Sequence, residues 1–216
     1  MILLDAAGAG FFGGGALVTP THVITAATNI VGFNSWTVML GSSNRTAMRS
    51  FTTTQAIHNP TYVQATRQND IGILTLPQAV VLSADINVIA LPMLSNPPTV
   101  LPFEFEEGSV SGFGFSSAQS NTASQFLYRG FQRVTSVARC NQFFNIPQLS
   151  GFCAEDTIER SNVCQGDIGG PFVVSYRRQE TLIGIVTMPA PCGQHSPSAY
   201  TRVTNFRQWI QTIVQI

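Results

Sequence analysis

The chain has 216 residues, 44% hydrophobic and only 10% charged, with 11 Lys+Arg balanced against 11 Asp+Glu. That length and apolar content exclude a disordered chain and suffice for one sizeable core or two small ones. The charge balance argues against a nucleic-acid binder, which needs a basic footprint, and no apolar run approaches the ~20 residues of a membrane-spanning helix.

Taken in chain order, the pattern is β over most of its length. Ala16-Leu17-Val18, Val23-Ile24-Thr25, Trp36–Leu40 and Ile71–Leu76 are short runs rich in β-branched or aromatic residues. The 18 glycines and 12 prolines, with Asn and Ser, punctuate them at the spacing of barrels and sandwiches. The proline-rich stretch Leu91–Pro98 cannot be a central strand and reads as a linker. A second set of strands follows: Gly108–Gly114, Phe126–Val134, Phe172–Ser175 and Leu182–Thr187. The expected division is therefore one β half over residues 1–100 and a second over 101–216. Only the end reads as helix, about 203–216: Val203, Phe206, Trp209, Ile210, Ile213 and Val214 share one face, with Thr204 or Asn205 as the cap.

Every basic residue is arginine. That bias fits an alkaline fluid, because arginine holds its charge where lysine begins to deprotonate, and it fits drift in a weakly charged protein equally well. The four cysteines, Cys140, Cys153, Cys164 and Cys192, form no C-x-x-C pair. Two disulfides in an oxidising compartment are expected rather than zinc. Asn44-Arg45-Thr46 is a glycosylation sequon, in keeping with secretion. The opening Met-Ile-Leu-Leu is too short for a signal peptide, so a secreted protein would carry its targeting segment outside this sequence.

Three separated segments carry a more specific signal. Gly14-Gly15-Ala16-Leu17 leads to Val23-Ile24-Thr25-Ala26-Ala27-Thr28-Asn29; Asn69-Asp70-Ile71-Gly72-Ile73-Leu74 follows; Cys164-Gln165-Gly166-Asp167-Ile168-Gly169-Gly170-Pro171 comes last. In order and spacing they resemble the chymotrypsin-like serine proteases, whose segments read GG-x-L … TAAHC, NDIALL and CQGDSGGP. Ala199–Val203 and Trp209-Ile210 support the match, and several strands resemble invertebrate chymotrypsin- and collagenase-type enzymes. The resemblance implies an all-β fold of two six-stranded antiparallel β-barrels with a C-terminal α-helix, and disulfides Cys140–Cys153 and Cys164–Cys192.

The same resemblance marks what is missing. A hydrolytic triad needs a hydroxyl nucleophile, an imidazole to shuttle its proton and a carboxylate to orient the imidazole. At those positions stand Ile168, Thr28 and Asp70. Isoleucine offers no nucleophile, and a threonine hydroxyl is no base near neutral pH. Asp70 is then expected to be structural, bonded to local backbone or hydroxyls. His22, His58 and His195 do not align with the base position and read as ordinary surface or packed histidines.

The resemblance implies that Asn162 stands at the base of the specificity pocket, without the carboxylate that would favour cationic side chains. Thr187-Met188-Pro189 replaces the segment that pairs with substrate, and Pro189 has no N–H to give. Ser198 narrows the wall. By the same resemblance Gly166 and the amide of residue 168 keep the backbone of the oxyanion hole, and Gln165 and Asp167 belong to the pocket region. Family members are switched on when a freed Ile-Val-Gly-Gly amine pairs with the aspartate before the serine; this sequence lacks that motif. Either such a segment lies outside this sequence or Asp167 lacks that partner; in the second case Asp167 is expected to be exposed, protonated or paired with an arginine. Gly13 and Asn29 replace a family disulfide, and Gly41–Gln55 has no carboxylate with which to bind calcium.

The expectation is a secreted, non-catalytic homologue without cofactor or metal. It would act as a binding or regulatory module whose partner is a protease, an inhibitor, an immune factor or itself, with neither nucleic acid nor membrane involved. The alternative is a structural, storage or self-assembling protein on the same scaffold.

Overall fold

The computed structural model describes residues 1–6, 9–94, 101–120, 122–144, 150–157, 162–176 and 178–216. The first half holds β1 (Ile2–Ala6), β2 (Ala9–Gly13), β3 (Ala16–Thr19), β4 (His22–Thr25), β5 (Ser35–Leu40), β6 (Arg49–Thr53), β7 (Gln55–His58) and β8 (Gly72–Thr75). They form two four-stranded sheets, β2-β1-β5-β6 and β3-β4-β8-β7. The first expected barrel is thus built from eight strand pieces. Only Gly14-Gly15 separates β2 from β3 and only Thr54 separates β6 from β7, so both sheets share these two bent chain passes. Tracing neighbours from β2/β3 through β1, β5, β6/β7, β8 and β4 returns to the start. The six passes close, and two turn a corner.

The glycines at the first corner are there for close approach. A Cβ on Gly14 would lie 2.5 Å from Gly170 Cα, and one on Gly15 would lie 2.8 Å from side-chain carbons of Ile2 and Val23. Inward-facing residues follow the period of two: Trp36 and Val38 alternate along β5 and join Ile2, Leu17, Val23 and Leu74 in one core.

The second half is a closed barrel of β9 (Glu107–Gly112), β10 (Tyr128–Val134), β11 (Gly151–Asp156), β12 (Pro171–Tyr176), β13 (Gln179–Met188) and β14 (Ser198–Arg202), in the order β10-β11-β14-β13-β12-β9. Phe152, Phe172 and Tyr200 pack at its centre with ring centroids 5.1–5.2 Å apart. Helix α1 (Val137–Asn141) is bound to β11 by the Cys140–Cys153 disulfide, and Cys164–Cys192 forms the second bridge. The fold is chymotrypsin-like.

Boundaries differ from the sequence reading in ways with local causes. The run from Phe126 starts as strand only at Tyr128, because Phe126 bridges to Asn44 and Leu127 N–H donates to Ser43 O in the first half. The C-terminal segment is a 3-10 turn, Val203–Phe206, followed by α2 (Arg207–Val214), and Gln215 in the left-handed region ends it. Neither Thr204 nor Asn205 caps it: Arg202 and Phe206 precede the two segments with no side-chain cap bond, and the Thr204 hydroxyl donates to Leu101 O instead. Phe206, Ile210 and Val214 enter a core shared with Val18, Ile24 and Ile73 of the first half and Leu182 and Ile185 of the second.

The Leu91–Pro98 linker is tied to the terminal helix, where Arg207 Nε donates to Pro92 O at 2.8 Å, and the two residues before the linker reach both halves. Ile89 N–H donates to Leu17 O, and Leu182 N–H donates to Ala90 O. Its later part and the expected boundary at 100/101 fall at residues 95–100, outside the described residues. Phe103, Phe105 and Phe143 are exposed, whereas Phe144 packs on the Cys140–Cys153 bridge.

Candidate active site

The two halves meet at Asp70, which is fully buried just before β8. Its Oδ1 accepts from Thr28 N–H at 2.7 Å; its Oδ2 accepts from the Thr28 hydroxyl at 2.9 Å and the Thr187 hydroxyl at 2.5 Å. Its backbone carbonyl accepts from the Thr201 hydroxyl at 3.0 Å. Asp70 is therefore held by backbone and hydroxyls, as expected. Burial raises its carboxyl above the ordinary range, while the Thr187 and Thr28 hydrogen bonds and the Arg67 charge pull it back. Thr187 reaches this carboxylate because it is the extra residue of a bulge where β13 pairs with β14, between Val186 and Met188.

Thr28 lies in the 3-10 turn Ala27–Asn29. Its hydroxyl gives its one hydrogen to Asp70, so Tyr62 OH, 2.9 Å away, must donate to it, and so does Arg67 Nη1 at 2.9 Å. One donated and two accepted bonds saturate a hydroxyl. Arg67 sits here with φ +56°, and Tyr62 follows the Asn59 turn. Sequence reading missed both. The short tract between Asn59 and Asp70 carried no family motif, and a left-handed arginine has no sequence signature.

At the nucleophile position, Ile168 is partly buried against the core shared by the two halves. Its carbonyl accepts from Gly14 N–H and from Asn29 Nδ2, each at 2.8 Å. Asn29 Nδ2 also donates to the Thr25 hydroxyl at 3.0 Å, and a Cβ on Gly13 would come within 2.4 Å of Asn29 Nδ2. The asparagine side chain thus fills the space beside Gly13. The oxyanion-type turn persists: Gly166 has φ +92° under the Phe12 ring, and neither its N–H nor that of Ile168 has a hydrogen-bond acceptor among the described residues. Gln165 is exposed, and its carbonyl accepts from Phe115 N–H at 2.8 Å.

Asp167 is mostly buried and borders a cavity of about 590 Å³, together with Gly112, Gly114, Asn162, Cys192 and His195. Its oxygens accept from Gly114 N–H at 2.8 Å and Cys164 N–H at 2.9 Å, in a niche that a Cβ on Gly112 or Gly114 would fill. Of the expected fates, exposure and an arginine partner do not occur among the described residues. Burial instead pushes the carboxyl up to about 6, so it takes up its proton close to neutral pH.

Asn162 is tied on both sides. Its Oδ1 accepts from Gln132 Nε2 at 2.8 Å and the Ser198 hydroxyl at 2.9 Å, and its Nδ2 donates to Ser196 O at 2.7 Å. Tyr200 OH donates to Gln132 in turn, and Ser198 Oγ accepts from Ala190 N–H at 2.8 Å. Gln132 was missed, although the alternation along β10 places it inward between Gly130 and Val134. Met188 and Pro189 lie partly buried at the end of β13.

None of the three histidines hydrogen-bonds to Thr28, Asp70 or Ile168 among the described residues. His22 Nδ1 contacts the Thr19 and Thr21 hydroxyls, His58 sits edge-on to Tyr62, and exposed His195 lies 3.4 Å from Asp156.

The Trypsin family pattern matches residues 1–210. Chymotrypsin of Phaedon cochleariae is 31% identical over 204 residues, spanning 92% of this chain and 71% of its own. Tissue-type plasminogen activator of Mus musculus is 31% identical over 217 residues, and this chain spans only 39% of its length. The structure of HL collagenase superposes with a TM-score of 0.85 at 28% identity, over 100% of this chain and 92% of that one. With the fold, both disulfides and the seam around Asp70, these likenesses make the chain a member of the trypsin family of serine protease homologues.

Proposed function

We propose that this chain is a non-catalytic member of its family, secreted and acting as a protein-binding or regulatory module. The observation that carries this reading is the pair Thr28 and Ile168. The hydroxyl at the base position has its hydrogen and both lone pairs engaged, and the side chain at the nucleophile position is a hydrocarbon. Proton transfer and covalent attack each lack their atom. The unengaged amides of Gly166 and Ile168 retain an acceptor site without a reaction to serve. The two disulfides support an oxidising compartment, and Asn44, on a surface turn with its Oδ1 bonded to Thr46, is the proposed glycan acceptor.

A fluorophosphonate probe, which labels only an activated serine, is expected to leave the protein unmodified; stoichiometric labelling would overturn the reading. Cross-linked capture from the native fluid is expected to recover a protease, inhibitor or immune protein in stoichiometric amount.

Exposed aromatic residues favour a second reading, self-association. Phe103, Phe105, Phe126, Tyr128 and Phe131 are all exposed. Sedimentation that shifts with protein concentration, with capture returning only the chain itself, would select it.

A further inference from the structure

Asn44, in the first half, and Phe126, in the second, form an isolated antiparallel bridge. Arg45 N–H donates to Gln125 O and Leu127 N–H to Ser43 O, each at 2.8 Å, so the hydrogen bonds flank the pair and none joins it directly. That is the non-hydrogen-bonded type of antiparallel pair, in which the facing Cα atoms approach to about 4.5 Å and both side chains leave the same face. The Phe126 side chain is therefore the immediate neighbour of Asn44 on that face, and it is 54% exposed. The period of two puts the exposed Tyr128 on the same face, one step further along.

The Asn44 side chain is oriented by its own turn. Its Oδ1 accepts from Thr46 N–H at 3.2 Å and from the Thr46 hydroxyl at 2.9 Å. A backbone N–H needs an acceptor opposite it, which fixes the oxygen on that side and turns the NH2 group away. Asn44 Nδ2 has no hydrogen-bond partner among the described residues and is not buried. Asn44-Arg45-Thr46 is the acceptor sequence of an N-linked glycan, whose first sugar is a β-linked N-acetylglucosamine. All the ring substituents of that sugar are equatorial. Both of its faces are therefore rows of C–H bonds, and their positive hydrogens suit the negative face of an aromatic ring.

We propose that the first N-acetylglucosamine of a glycan on Asn44 packs a C–H face against the Phe126 ring, so that the sugar bridges the two halves of the chain. The attachment point selects this occupant for the exposed ring, because a glycan on Asn44 starts on the face that Phe126 occupies. Phe126 then leaves the set of aromatic side chains that favour self-association. The inference rests on the reading of Asn44 as a glycan acceptor.

The chain, secreted from cells that add high-mannose glycans, is treated either with an endoglycosidase that leaves one N-acetylglucosamine or with an amidase that removes the whole glycan. Trimming to the single sugar is expected to keep the thermal midpoint of the untreated protein, and full removal to lower it by a few degrees. That loss should largely disappear in Phe126→Ala, a surface change. The N-acetyl methyl proton signal of the single-sugar form should lie upfield of its position in Phe126→Ala, shifted by the ring current of Phe126. A mass unchanged by either enzyme would show Asn44 unmodified, which overturns the acceptor reading and the inference with it. A glycan located on Asn44 by mass, with equal midpoint losses in the parent chain and Phe126→Ala and an unshifted methyl signal, would overturn the inference alone.

Discussion

The side-chain amide of Asn29 donates to the backbone carbonyl of Ile168 at 2.8 Å, joining positions 139 residues apart across the seam between the halves. The same amide holds the Thr25 hydroxyl, and its bulk lies where a side chain on Gly13 would go. The Gly13/Asn29 pair therefore does more than mark an absent disulfide. It exchanges a covalent link within the first barrel for a hydrogen-bonded link between barrels. Asn29→Ala is expected to cost about 1–3 kcal/mol, the range for losing a buried hydrogen-bonding group. Urea unfolding would measure this, and a midpoint unchanged from the parent chain would reduce Asn29 to space-filling.

Thr28→His with Ile168→Ser is expected not to yield a working peptidase. Arg67 and Tyr62 both lie within hydrogen-bond distance of the Thr28 hydroxyl. An imidazole placed there would face a guanidinium, which disfavours the protonated form that a proton shuttle must reach. Pro189, which has no N–H, would also withhold the proposed strand-like bond from an extended substrate. Turnover of chromogenic peptide amides by the double variant is the measurement, and substantial turnover would mean the cleft is intact in all but two side chains.

Much of this arrangement was legible in the sequence, because barrel strands and family motifs are local signals. The runs at Ala16–Val18 and Trp36–Leu40 are strands, as β-branched and aromatic enrichment implies, and Asp70 is bonded to backbone and hydroxyls. The terminal helix was legible from its stripe, but its start was not, since Thr204 spends its hydroxyl on a distant carbonyl. Arg67, Tyr62 and Gln132 were invisible for a related reason. Each acquires its role from a partner tens of residues away, and no periodicity encodes that.

Asp167 should give the fold an acid-side dependence. Its carboxyl is raised to about 6 in the folded chain, above the value of about 3.9 for an unfolded aspartate. Between those values the folded state binds the extra proton, so stability is full below pH 4 and declines as pH rises through about 6. The shift corresponds to about 3 kcal/mol at most. The raised Asp70 acts in the same direction. Asp167→Asn lowers stability overall, because one oxygen cannot serve both Gly114 and Cys164, yet it should flatten the decline. Urea midpoints at pH 5 and pH 7 for both proteins test this, and equal slopes would exclude Asp167 as the source.

Asn162→Asp tests the proposal that Asn162 stands at the base of a specificity slot that lacks its carboxylate. Asn162 Nδ2 donates to Ser196 O at 2.7 Å, and Ser196 Oγ is already a buried hydroxyl without a partner. Exchanging that amide for a carboxylate oxygen sets two acceptors against each other in a buried site, at an expected cost of about 1–3 kcal/mol at neutral pH. The aspartate would be raised, so acidification should recover part of the loss as its O–H takes over the bond to Ser196. The other oxygen remains occupied by Gln132 and Ser198, which leaves no free edge for a cation. Benzamidine is therefore expected not to bind the variant by calorimetry or by thermal shift. Saturable binding would show that Ser198 and the Ser196 loop yield to a ligand, and that the slot was closed only by its missing charge.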